Sequence, residues 1–147
     1  MRLWHIDLLP YIPNSQLLSQ KREVDLIWKD IAEGKETNHI LINYIWEYEN
    51  PQAELFVYYL ALYREFTNRH FVFNTSKHCD IKIVVGDMDR KPFHLHHNLE
   101  YMKVCYYNLK EKYIRGQKDF TKQCFKKLYD YMCRIGVEKN EDYKSTL

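Results

Sequence analysis

Three groups of side chains in this sequence could do chemistry, and their spacing says of what kind. Gln16, Ser19, Gln20 and Glu23 recur every three or four residues, which places them on one stripe of a helix. The same wheel puts Leu17, Val24, Ile27, Trp28 and Ile31 on the adjoining apolar stripe and turns Arg22 and Lys29 well away from it. A carboxylate at the edge of an apolar stripe loses part of its hydration, and that loss raises its pKa toward a range useful for proton transfer. The plainer reading of Glu23 is a surface carboxylate paired with a neighbour such as Lys21, and spacing alone leaves both open.

The second group is the interleaved run Tyr101, Lys103, Tyr106, Tyr107, Lys110, Lys112, Tyr113 and Arg115. Aromatic rings stack on bases and the cations between them neutralise phosphates, but tyrosines at helical spacing equally fill a core. The third group is His94, His96 and His97, with His78 and Cys79 upstream. Imidazoles and thiols can ligate a metal, yet histidines beside a helix start more often cap it or face solvent, so no metal is expected. Other machineries are excluded by their missing signatures: the chain has no GxxxxGK[ST] or GxGxxG phosphate loop, no GxSxG elbow and no HExxH pair.

Helices must position these residues. Pro10 and Pro13 bracket an irregular opening segment. Asn14 and Ser15 are N-cap candidates for a first helix over Gln16–Glu33, which Gly34 stops. Ile40–Tyr48 reads as a buried extended segment or short helix. Asn50-Pro51 opens a second helix through about Arg69, with Leu55, Tyr58, Tyr59, Leu62 and Phe66 as its buried faces. A long connection follows from Asn74 to Pro92, with a strand possible at Ile81–Val85. A third helix spans Asn98–Tyr113 and ends at Gly116, a fourth spans Asp119–Ile135 with Gly136 as its cap, and EDYKSTL is a frayed tail.

With 46% hydrophobic and 29% charged residues the composition is globular rather than disordered. No apolar run nears the roughly 18–20 residues that span a bilayer. The N-terminus is interrupted by Asp7 and lacks a small-residue cleavage site, so no signal peptide is expected. The four cysteines are widely spaced with no CxxC pair, which suits reduced thiols and a cytoplasmic location better than a disulfide scaffold. The net charge of +2 is small, but its distribution is uneven: residues 101–147 carry 11 Lys/Arg against 6 Asp/Glu. Such a stretch suits a polyanion or a solvated helix face.

Several segments together resemble the pyrimidine-dimer DNA glycosylase (endonuclease V) family: MRLWH, QLLSQKRE with its Arg22-Glu23 pair, HILINYIWEY, the second helix and HNLEYMKVCYYNLKEK. The likeness is closest to a bacterial branch of that family. It implies a mainly α fold, one compact helical domain over residues 1–147 with about four helices and a long irregular connection. It also implies a DNA-repair glycosylase and AP lyase that uses no cofactor or metal, acts as a monomer on damaged double-stranded DNA and binds no membrane. In the family a chain-terminal amine attacks the sugar C1′, displaces the base and leaves an imine, while a carboxylate beside it assists. By that resemblance Met1 and Glu23 are the catalytic residues, and Arg2, Gln16, Arg22 and His97, at the start of the third helix, contact DNA. An α-amine ordinarily titrates at about 7.7–8.0 and so meets the need for a free amine better than a lysine at about 10.4.

Four features differ from the family's phage members. Met1 precedes bulky Arg2, which favours its retention and makes its own amine the nucleophile. Position 16 is Gln in place of a His near the lesion. Leu26 stands where a basic residue is expected a turn beyond Arg22-Glu23, with Lys29 the nearest substitute, and EDYKSTL does not match their aromatic, basic tail. These differences bear on lesion choice; the lyase chemistry needs only the amine and the carboxylate. The alternative the residues leave open is a non-catalytic nucleic-acid-binding or protein-interaction domain with the same fold.

Overall fold

The computed structural model describes residues 1–79 and 90–139. Their regular structure is helical: α1 (Asn14–Ala32), α2 (Pro51–Asn68), α3 (Leu99–Ile114) and α4 (Lys122–Arg134), with 3-10 helices at Ile6–Tyr11 and Asn43–Glu47. The fold is mainly α, as expected. The strand suggested at Ile81–Val85 and the tail EDYKSTL lie outside the described residues.

Local sequence accounts for most helix ends. The Asn50 side chain accepts from the Ala53 backbone N–H at the start of α2, with Pro51 in the first turn where a missing N–H costs nothing. Asn98 and Thr121 cap α3 and α4 in the same way, accepting from Tyr101 and Cys124. Gly34 and Gly116 take φ of +71° and +83°, a conformation that glycine reaches without steric cost.

The start of α1 differs from expectation, and the reason is tertiary. The helix begins at Asn14, and neither Asn14 nor Ser15 caps it through its own side chain. The cap comes from Asp119, whose carboxylate accepts from the Ser15 N–H and the Ser15 hydroxyl, each at 2.8 Å. Asn14 is engaged elsewhere, its Oδ1 accepting from Arg69 at 2.9 Å. Because Asp119 serves α1, α4 starts only at Lys122 instead of at Asp119.

A continuous core runs from Leu3 to Met132. Leu17, Val24, Ile27 and Trp28 of α1 pack with Leu55, Tyr58, Tyr59, Leu62 and Phe66 of α2, and Cys105, Tyr106, Leu109, Phe125, Leu128 and Tyr129 complete it from α3 and α4. The tyrosines of the third helix divide accordingly: Tyr106 is wholly buried, Tyr113 stacks on Phe125 at 4.2 Å, and Tyr107 is exposed.

Burial raises the Asp119 pKa, but hydrogen bonds from Ser15 and Gln117 outweigh it, so the carboxyl titrates below its usual range. Its contribution to stability is therefore full above the unfolded value of about 3.9 and is lost as pH falls through the lower folded value. Asp119→Ala is expected to cost about 1 kcal/mol at neutral pH by chemical denaturation, and the difference from wild type should shrink in acid.

Candidate active site

The first four residues run along α1 and are held by their backbone. Gln20, 1% exposed, is the hub. Its Oε1 accepts from the Trp4 N–H at 2.7 Å and lies 2.9 Å from the Tyr58 hydroxyl. Its Nε2 donates to the Arg2 carbonyl at 2.9 Å and to Glu23 Oε2 at 3.1 Å. A backbone N–H can only donate and a carbonyl only accept, so the Trp4 and Arg2 partners decide which way the amide faces, and the single Tyr58 hydroxyl proton is shared between the Gln20 oxygen and the Trp4 carbonyl. The Tyr58 hydroxyl also lies 2.7 Å from the Trp4 carbonyl, and the Tyr101 hydroxyl donates to the Leu3 carbonyl at 2.5 Å.

This clamp lays the chain start over an open cavity of about 250 Å³. Met1, Arg2, Gln16, Ser19, Gln20 and Glu23 line it from one side, Leu41 from the loop after α1, and Asn108 and Lys112 from α3. The whole polar stripe of the first helix thus faces one cavity. Lys21 pairs with Asp25 at 2.6 Å, not with Glu23.

Glu23 is half-buried, and burial raises its pKa. The strongest opposing influence is the positive chain terminus, followed by the Arg2 backbone amide and the charges of His39 and Arg22. Met1 and Glu23 line the same cavity. Arg22 is exposed, its guanidinium donating to the Ser19 hydroxyl at 3.1 Å on the rim. Gln16 donates to Gln117 at 3.0 Å, tying the cavity wall to the connection between α3 and α4.

His97, expected at the DNA interface, lies in the interior. It is 8% exposed, its Nε2 is 2.5 Å from the Tyr44 hydroxyl, and its ring stacks on Tyr101 at 4.5 Å. Burial, reinforced by His5 and His96, lowers its pKa to about 3, so at neutral pH it is uncharged and has no path to a phosphate. Its place is behind Tyr101, which holds the Leu3 carbonyl. Among the described residues, no three His, Cys, Asp or Glu side chains are grouped so as to hold a metal ion, and no helix is long and apolar enough to cross a membrane.

Size alone does not single out this cavity. A larger one of about 580 Å³ lies between the start of α1 and α4, where Arg69 is engaged with Glu65, Asn14 and the Leu9 carbonyl and Lys126 with Asp130, while Lys127 also lines the wall.

A sequence model of the family described as pyrimidine dimer DNA glycosylase matches residues 1–79, more than half of the chain. The chain belongs to this family. Its activity is accordingly of the DNA glycosylase kind, with DNA as the substrate. No curated protein and no solved structure matches the chain. The matched segment contains Met1, Arg2, Gln16, Arg22 and Glu23; of the cavity wall, Asn108 and Lys112 come from beyond it. Lys112 could be noticed in the basic, aromatic run of the third helix, whereas nothing in the spacing pointed to His39 or Asn108.

Two outcomes test this geometry. Gln20→Leu leaves the buried Trp4 N–H and Arg2 carbonyl without partners and is expected to lower unfolding free energy by about 1–3 kcal/mol in denaturant titration. Nα-acetylation removes the charge that most opposes burial, so the Glu23 titration followed by carboxyl 13C NMR should move to higher pH. An unchanged titration would separate the two groups in space.

Proposed function

We propose that this glycosylase is also an AP lyase, acting on a damaged pyrimidine nucleotide or an abasic site in double-stranded DNA through the α-amine of Met1. The observation that carries the reading is that Met1 and the half-buried Glu23 line one open cavity, with the positive chain terminus the strongest influence opposing the effect of burial on the carboxylate. A glycosylase/lyase needs a nucleophile and a proton carrier, and in this reading the α-amine of Met1 and the carboxyl of Glu23 supply them. Arg2, Gln16 and Arg22, on or beside the cavity wall, contact the DNA, and the chain works as a one-domain monomer.

In this reading the neutral amine attacks C1′, and the base departs with the electron pair of the glycosidic bond and gains a proton. Glu23, as a carboxylate, stabilises positive charge building at C1′. Loss of a proton from nitrogen and rupture of the C1′–O4′ bond, with O4′ taking up a proton, give the imine on an open sugar. Glu23 then accepts a C2′ proton, and the electron pair released expels the 3′ phosphate and breaks the strand. Water finally hydrolyses the imine and returns the amine. Desolvation suits Glu23 to this exchange, because a raised pKa makes the carboxylate a better base.

Borohydride reduction in the presence of an abasic oligonucleotide tests the proposal. Wild type should be trapped as a covalent adduct, the Nα-acetylated protein should not, and Glu23→Gln should cut strands at least about 100-fold more slowly. An adduct that survives acetylation would assign the chemistry to a lysine and sink the proposal. Salt-sensitive binding without any adduct would leave a non-catalytic DNA-binding domain.

A further inference from the structure

The loop after α1 brings a tight turn to the lip of the cavity. The His39 carbonyl accepts from the Ile42 N–H at 3.0 Å and the Asn43 N–H at 2.9 Å, and His39 Nδ1 accepts from the Leu41 N–H at 3.1 Å. Ile42, wholly buried, bolts the turn to the core. Leu41 lines the cavity, and His39 is near enough for its charge to act on Glu23. Between them Ile40 stands at the outer corner, 82% exposed.

An exposed apolar side chain is by itself ordinary on any protein surface. Val72, 81% exposed, is such a case: it follows the end of α2, and neither it nor its neighbours line the cavity. Ile40 differs in two respects. Its backbone is fixed by hydrogen bonds on both sides, and it is next in sequence to residues that form the wall of the site and act on its carboxylate. A β-branched side chain is also stiff at χ1, so it loses little entropy when it is enclosed.

We infer that Ile40 is a wedge that enters the base stack of duplex DNA beside the nucleotide presented to the cavity. The inference rests on the reading that this cavity takes its nucleotide from a duplex. Taking a nucleotide out of the helix opens a gap whose unstacked faces are apolar and costs a few kcal/mol per step. A rigid branched aliphatic side chain fills that gap and blocks the return of the displaced base. Arg2, Arg22 and Lys112 around the same mouth supply cations for the flanking phosphates.

The test uses a duplex that carries an uncleavable tetrahydrofuran abasic analogue with 2-aminopurine as the adjacent base, so that unstacking is read as fluorescence without any chemistry. Saturating wild type and Val72→Ser should both raise the fluorescence. Ile40→Ser should leave it near the free-duplex level and bind this duplex about tenfold more weakly, with an unchanged melting temperature. A wild-type complex without a fluorescence rise, or an Ile40→Ser complex as bright as wild type, overturns the wedge. Borohydride trapping on a single-stranded abasic oligonucleotide, where no stack has to be opened, reads the amine chemistry separately. Ile40→Ser should be trapped there as efficiently as wild type. Failure of wild type to trap would strike the lyase reading alone, because the fluorescence of the uncleavable duplex decides for or against the wedge without it.

Discussion

A carboxamide sealed from water must find protein partners for two donors and two acceptor positions, and around Gln20 the chain start supplies two of them. Much of the architecture near the cavity serves that requirement. Tyr58 of α2 reaches the same amide oxygen, Tyr101 of α3 takes the intervening Leu3 carbonyl, and Leu3 and Trp4 are buried beneath. Terminal residues usually fray because nothing restrains their backbone. Here successive peptide groups from Arg2 to Trp4 are restrained by three different helices, and Met1 extends from a fixed base.

The same amide joins structure to electrostatics, since its second donor falls on Glu23. Glu23 sits between opposing demands. Withdrawal from water disfavours its charge, while the chain terminus and nearby donors favour it. A carboxylate poised in this way changes its protonation at modest cost, unlike one locked in a close ion pair such as Glu54 with Arg90. Arg90 holds Glu54 through both oxygens, and that pair, with the Phe93 N–H, lowers the pKa despite burial. One acid is free to exchange a proton and the other is tied into the framework.

What could be read from the sequence was whatever depends on local periodicity. The stripe Gln16, Ser19, Gln20 and Glu23 follows from helical spacing, and the caps at Asn50 and Gly116 follow from backbone chemistry within a few residues. What escaped depends on partners far along the chain. Asp119 caps α1 through a residue 104 positions earlier, so no local pattern could assign it to Ser15 or shorten α4 at its start. His97 occupies a helix entrance where a surface role is the ordinary one, and only the packing of Tyr44, Phe93 and Tyr101 around it makes it an interior ring. Asn108 and His39 reach the site through the fold alone.

The ties that complete the site are almost all long in sequence: Leu3 to Tyr101, Gln16 to Gln117, Ser15 to Asp119. The cavity is lined from Met1 to Lys112, so no short stretch of the chain contains it. Sub-global opening of α3 would remove the Tyr101 tie to the Leu3 carbonyl together with Asn108 and Lys112 of the far wall. One local event would thus loosen the chain start and dismantle the cavity beneath it together.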